Sequence, residues 1–317
     1  MRKMSIFLFI LFSIFCRKQE VTTHSFKILS TCTLPGYAKD VDLLVNLAYV
    51  ADGQGGLQII DISNAESLFV VGAYPSEKEI QGISVRDSFA YLAVAASNGG
   101  LLILNVAQPN APSFVGEDPS FYGYNVVAPK DDTMYVYVAA RYWFMVENVS
   151  DPAFPSFVRR FSTPGSIRGI DVVDSMVYLA CEQMGVYIFN LAKPDSEALI
   201  GWIDTPANAR NIAACGNYVY VADGRGGLVI IDVSNPESPQ IKSIYDTPQY
   251  ANDVFIDSNF AYVADAEAGL VKIDISNPEQ PIYYGSIETP YAYSVYAREN
   301  NIYVADRDWG LVIITEE

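Results

Sequence analysis

The feature that most restricts the fold is a phrase that recurs seven times: a short β-prone run marked by Tyr, a turn usually rich in Gly, and an apolar strand that in six cases ends in Asp or Asn. With Tyr49, Tyr91, Tyr137, Tyr178, Tyr220, Tyr262 and Tyr303 as phase marks, the successive spacings are 42, 46, 41, 42, 42 and 41 residues. Self-similarity at that period signals stacked supersecondary units, none of which can bury its apolar surface alone. The repeats run from about residue 26 to residue 317 with no linker, low-complexity stretch or charge block between them. Hydrophobic residues make up 50% of the chain, ample for one large core.

One repeat, Pro248 to Pro290, contains four strand-like pieces: DVFID (253–257), FAYVAD (260–265), GLVKIDI (269–275) and IYYGSIE (282–288). Each is rich in β-branched and aromatic residues. The bounding segments, Asp257-Ser258-Asn259, Ala266 to Gly269, Ser276-Asn277-Pro278 and Thr289-Pro290, carry turn chemistry. The unit is therefore a four-stranded antiparallel meander, and many such meanders at this period form an all-β propeller whose sheets cover one another's faces. The seventh repeat supplies only three strands before the chain stops. Residues 26–34, FKILSTCTL, carry the outer-strand pattern and precede Pro35, as outer strands precede Pro164, Pro206, Pro248 and Pro290. The expectation is a seven-bladed propeller whose N-terminal strand completes the last blade and leaves no open edge.

The third strands read GLQIIDISN (56–64), GLLILNVAQ (100–108), WFMVENVSD (143–151), GVYIFNLAK (185–193), GLVIIDVSN (227–235), GLVKIDISN (269–277) and GLVIIT (310–315). This series resembles the LVIVD repeats of bacterial and archaeal secreted or surface proteins. The resemblance covers essentially the whole repeat region and implies the propeller fold and a place at the cell surface. It implies no catalytic residue.

The chain carries 37 acidic and 20 basic residues, a formal charge of −17. Nucleic-acid binding requires a positive footprint that displaces counterions, so DNA and RNA are excluded as expected partners. At the N-terminus, Arg2 and Lys3 precede a run from Ile6 to Phe15 that is apolar except for Ser13. It is too short to span a bilayer and has the length of a secretory h-region. Cys16 follows it, and the ending resembles a bacterial lipoprotein signal, although Phe15 stands where such signals usually carry a small residue. The expected organisation is a signal over 1–16 with Cys16 as lipidation site, a tether over 17–25, and the propeller over 26–317. Cleavage at another site and retention of the segment are the alternatives. Membrane attachment is then by lipid anchor only, after export across the inner membrane, at the outer membrane or surface. The remaining Cys32, Cys181 and Cys215 match neither a disulfide framework nor a zinc site and are expected to behave as small buried apolar residues.

The second strand ends in Asp52, Asp223, Asp265 and Asp306, whereas blades two, three and four carry Val94, Ala140 and Cys181 there. With no Ca²⁺-loop pattern, these carboxylates are expected to tie down turns by accepting backbone N–H groups. Asp61, Asp232 and Asp274, with Asn105, Asn148 and Asn190, are expected to make Asx-type bonds at the ends of the third strands. At the start of the innermost strand stand Asp40, Gly82, Asn125, Gly169, Asn211, Asp253 and Ser294, small or polar in every blade, of which Asp40, Asn125, Asn211 and Asp253 mark the channel mouth. On the same face, Tyr and Arg dominate the entry loops: Tyr122, Tyr124, Arg210, Tyr250, Tyr291 and Tyr293, with Tyr37, Lys39 and Arg168. The turns between second and third strands add Arg141, Trp143, Arg225 and Trp309.

Tyr, Trp and Arg dominate binding hot spots. Their concentration on one rim of an acidic protein points to a ligand surface for a protein or carbohydrate. The only His is His24, ahead of the first strand, so no Ser-His-Asp triad, Cys-His pair or multi-His metal site can be built within the ring. No cofactor or metal is expected. The sequence thus favours a non-enzymatic binding or scaffold protein of the cell envelope. The alternative is a polysaccharide hydrolase or lyase that uses carboxylates such as Asp40 and Asp253 at the channel mouth.

Overall fold

The computed structural model describes residues 24–97, 99–127 and 134–317. The expectations for the N-terminal signal, Cys16 and all but the last two residues of the tether lie outside them. Seven four-stranded antiparallel sheets form a closed ring, each adding its strands outward in chain order except the last. In blade six the strands are Asp253–Asp257, Phe260–Ala264, Leu270–Asp274 and Ile282–Ile287, within a residue of the limits read from the sequence. In blade seven the strands Ala292–Arg298, Asn301–Asp306 and Gly310–Glu316 are joined by Phe26–Cys32 as the outer strand. The N-terminal strand closes the ring: Phe26 pairs with Glu316 and Cys32 with Leu311. It ends at Cys32, two residues short of the expected limit.

Alternation along each strand sends apolar side chains to both faces, and these interlock between neighbouring sheets. The phase-marking Tyr49 and Tyr91, for example, are buried with Leu57, Ile59 and Ile80 or with Leu101 and Ile103. Polar staples hold the blades at three radii. At the outer rim, the strand position opposite Ile59, Ile103 and Ile188 is Gly72, Gly116 and Gly201, where an added Cβ would fall within 2.3 Å of the carbonyl of Pro109, Pro152 or Pro236 in the next blade's turn. Where Ser243 occupies this position, its hydroxyl donates to Pro278 at 2.6 Å, and in blade three Arg159 donates to the Leu191 carbonyl at 3.0 Å.

At the entry loops, the second-strand aspartates are buried clasps. Asp223 accepts from Thr205 Oγ1 at 2.7 Å and Ala207 N at 2.8 Å; Asp265 does the same with Thr247 and Gln249 at 2.8 Å. The predicted turn-tying role holds, and for Asp223 and Asp265 the Thr that precedes a Pro, Thr205 or Thr247, is the partner that the sequence reading did not name. All six Asx bonds at the third-strand ends are present at 2.8–3.0 Å, from Ser63, Ala107, Ser150, Ala192, Ser234 and Ser276. Of the three cysteines within the described residues, Cys181 is buried, Cys32 is half-buried and Cys215 is exposed. Cys215 corrects the expectation: it ends an inner strand at the Gly216 turn and lies beside the lower opening of the channel.

Candidate functional site

The innermost strands leave one edge without a ladder partner, and the channel they surround is lined by groups that satisfy it. Asp40, Gly82, Asn125, Gly169, Asn211, Asp253 and Ser294 all pair with the Ala near the end of their blade's second strand, so they lie at one level. This is the neck of the channel. It is narrow enough that a Cβ on Gly169 would lie 2.6 Å from Asn211 Cα, and one on Gly82 2.9 Å from Asn125 Cα. Asp40 accepts from Ile83 N of the next blade at 2.9 Å, and Asp253 accepts from Val295 N at 3.0 Å. One turn of the pleat lower, Asp42 and Asp171 repeat the bond to Val85 N and Ala214 N, both at 2.7 Å. The channel carboxylates therefore staple adjacent blades.

Across the closure of the ring, Ser294 Oγ lies 2.9 Å from Asp40 and 2.7 Å from Asp253, while Asn211 Nδ2 donates to Asp253. Burial, reinforced by the charge of Asp253, pushes the Asp40 carboxyl up to about 7; burial raises Asp253 as well. One hydroxyl hydrogen cannot serve two carboxylates, and the upward shift of both carboxyls favours uptake of a proton by the pair, which would complete the bridge. The pair that the hydrolase alternative relied on is thus separated by a single side-chain hydroxyl and held by backbone N–H groups.

Above the neck lies a second ring, made by the residue preceding each neck position: Lys39, Gln81, Tyr124, Arg168, Arg210, Asn252 and Tyr293. Lys39, Arg168, Arg210 and Asn252 are fixed by backbone bonds of 2.7–2.9 Å to the second strand, whereas Gln81, Tyr124 and Tyr293 fall at register shifts; all seven line one cavity. The two rings enclose a mouth cavity of about 270 Å³. Arg168 lies 4.3 Å from the Tyr124 ring centre and Lys39 Nζ 4.1 Å from that of Tyr293, both cation–π distances. Glu182 pairs with Arg168 and, at 3.7 Å, with Arg210. Lys39 has no ion pair among the described residues, and burial lowers its ammonium pKa.

The rim candidates fall into three places. Tyr124, Arg210 and Tyr293 line the mouth. A groove of about 950 Å³ adjoins it across Lys39 and Tyr293 and is walled by Tyr37, Glu79, Arg307 and Asp308; the Tyr291 ring packs at a tilt against Tyr293, centroids 4.8 Å apart, and lies 4.9 Å from the Arg307 guanidinium. Tyr122, Arg141 and Trp143 line a separate cleft of about 660 Å³ in blade three with Tyr142, Phe157 and Arg160, the last 4.4 Å from the Trp143 ring. Tyr250 covers the Gly224 turn, Arg225 is exposed at that turn, and Trp309 is exposed beside Asp308. Asp40, Asn125, Asn211 and Asp253 sit at the neck, floor of the mouth rather than rim. Gln81 and Asn252 escaped the sequence reading, which sought aromatic and basic types; register alone identifies them.

The LVIVD repeat family matches at residues 35–75, 79–117, 206–247, 248–289 and 291–314, more than half of the chain. The chain belongs to the LVIVD repeat family. The LVIVD matches fall on blades one, two, five, six and seven, and blades three and four depart from the pattern. Among solved structures, the WD40 β-propeller domain of Doa1 is similar to this LVIVD propeller with a TM-score of 0.72 at 12% identity, covering 93% of this chain and 98% of that one. The computationally designed Ika8 protein is similar with a TM-score of 0.62 at 9% identity, covering 90% and 98%. At such identities the likeness concerns the fold alone. No curated protein sequence matches the LVIVD chain.

Proposed function

We propose that this protein is a non-enzymatic binding module of the cell envelope that holds a protein or glycan partner on the face bearing the mouth. The observation that carries this reading is the continuity of the mouth and the adjoining groove over Lys39 and Tyr293, where cations rest on tyrosines in a protein of net charge −17. Desolvated aromatic and Arg side chains are the groups that dominate interface energy. The N-terminal segment supports export, with lipid attachment at Cys16. Because Phe26 pairs with Glu316 and Cys32 with Leu311 beside the Arg307–Gly310 turn, the chain enters the propeller on the face opposite the mouth. An anchor on that lead directs the mouth away from the membrane.

Affinity capture from the native envelope with the full chain tests the binding surface. A partner retained by the wild type and lost, with the melting temperature unchanged, in Tyr293→Ala and Arg307→Ala supports the face; retention by both variants refutes it. Globomycin-sensitive palmitate labelling that disappears in Cys16→Ala tests the anchor, and an unlabelled chain refutes it.

A further inference from the structure

The mouth cavity has two tiers of opposite character. The upper tier carries Lys39, Arg168 and Arg210; the lower carries Asp40 and Asp253, bridged by Ser294. Blade order around the ring places Lys39 of blade one across the axis from Arg168 and Arg210 of blades four and five. Every side chain lining the cavity is polar, with no aliphatic wall for an apolar group. At about 270 Å³ it falls below the ~300–1,000 Å³ typical of drug-sized ligands, room for one compact polar residue. Two donors in the upper tier are under-satisfied: Lys39 makes no ion pair among the described residues, Glu79 acting on it only at longer range, and Arg210, although its Nη1 lies 3.7 Å from Glu182, has its Nε buried without a hydrogen-bond acceptor. An unpaired charge beside aromatic rings, partly removed from water, calls for an anion.

We infer that the mouth binds a hexuronic acid residue of a polysaccharide, its carboxylate held between Lys39 and the Arg168–Arg210 pair and its hydroxyls directed down to Asp40, Asp253 and Ser294. This rests on the binding role of the same face and chooses the glycan as partner. The lower tier makes the choice. A simple anion meets a neck that carries negative charge, and a neutral sugar leaves Lys39 unpaired. A uronic acid places a negative group against the cations and hydroxyl donors against the carboxyls, whose oxygens accept them. An acidic peptide brings a main chain and flanking side chains that a cavity of this size does not accommodate.

Titration calorimetry with the full chain tests it, with trigalacturonate and a glucuronate trisaccharide as probes and their methyl esters and acetate as controls. The expected result is binding of at least one acid trisaccharide, weakened at least tenfold by methyl esterification and by Lys39→Gln, with acetate not competing at equal concentration. Asp40→Asn, which keeps a neck hydrogen-bonding group, weakens the acid sugar as well. Melting curves of both variants separate loss of binding from loss of fold, and Arg168→Gln serves if either unfolds. Equal binding of acid and ester, indifference to Lys39→Gln, or competition by acetate overturns the inference. So does failure of both acids to bind. If the envelope partner is nonetheless retained and lost in Tyr293→Ala, the binding face stands and the uronic acid falls.

Discussion

Blade six and blade three share a topology and differ in how they satisfy their interior. In blade six, Gly269 at φ 72° opens the third strand, and a Cβ there would lie 2.3 Å from the Ile287 carbonyl. Blade three has Trp143 in that place. Its second and third strands pair out to Ala140 and Trp143 across the two-residue Arg141-Tyr142 turn, and the indole stands half-exposed. Blade six has the Thr247–Asp265 clasp, whereas blade three has Ala140 where the aspartate would be and Tyr122 eighteen residues before it. Blade six buries Ile273; the equivalent position in blade three is Glu147, fully buried with neither carboxylate oxygen bonded among the described residues. The regular blade spends its polar groups on itself. The irregular one exposes aromatic and basic groups and keeps a carboxyl in its core.

The sharpest way to break the comparison is to remove the clasp. Asp265→Ala leaves the buried Thr247 hydroxyl and the partly buried Gln249 N–H without an acceptor, so urea denaturation is expected to show a loss of about 3 kcal/mol. The reciprocal Ala140→Asp, with no Thr to receive it, is expected to destabilise rather than repair; a gain in urea midpoint would show that the clasp does not depend on its partner. Next, Glu147→Ile restores the pattern residue and is expected to add about 2 kcal/mol at pH 7. Burial, with a smaller contribution from Asp118, raises the Glu147 carboxyl to about 8. A carboxyl raised in the folded state favours folding at acid pH, and that contribution is lost as pH rises from the ordinary Glu range through about 8. The advantage of Glu147→Ile in thermal melts should therefore widen from pH 5 to pH 9, and a constant difference would refute the assignment. The smallest change is Asp232→Asn. Asp232 bonds Ser234 N at 2.9 Å and Lys242 at 3.1 Å near the surface, and Asn148 makes the same turn in blade three without an ionised group. The expected shift is below about 0.5 kcal/mol, and a larger one would give the exposed ion pair a weight such pairs seldom carry.

The strands were legible because local chemistry repeats: the same β-branched runs and Asn-Pro or Thr-Pro turns recur in register, so one decoded blade decodes the others. The neck was legible for the same reason, as a position rather than as a set of residue types. The Asp40–Ser294–Asp253 bridge was not, because it joins residues 254 and 41 positions apart through closure of the ring. Gln81 and Asn252 were hidden by composition, neither being of a type associated with binding. Trp143 drew notice, but its separation from the mouth into a blade-three cleft depends on a turn one residue shorter than those of blades one, four, five, six and seven. Thr289 and Asp52 show how a repeat conceals a defect. Thr289 Oγ1 has no partner because the following turn is one residue shorter, and Asp52 Oδ1 has none because Leu34 takes the place of the Thr.

Closure of the ring by a strand from the other end of the chain also has a mechanical consequence. Phe26–Cys32 runs from the face where the lead enters toward the mouth, paired along six positions with the last strand, and His24 stacks on Tyr284 at 3.9 Å. A pull on the lead, directed away from the mouth, acts along this strand's own axis. The hydrogen bonds to the last strand then bear the load together, in shear, instead of opening one after another, so the seam of the ring resists the direction in which a tether would tug it.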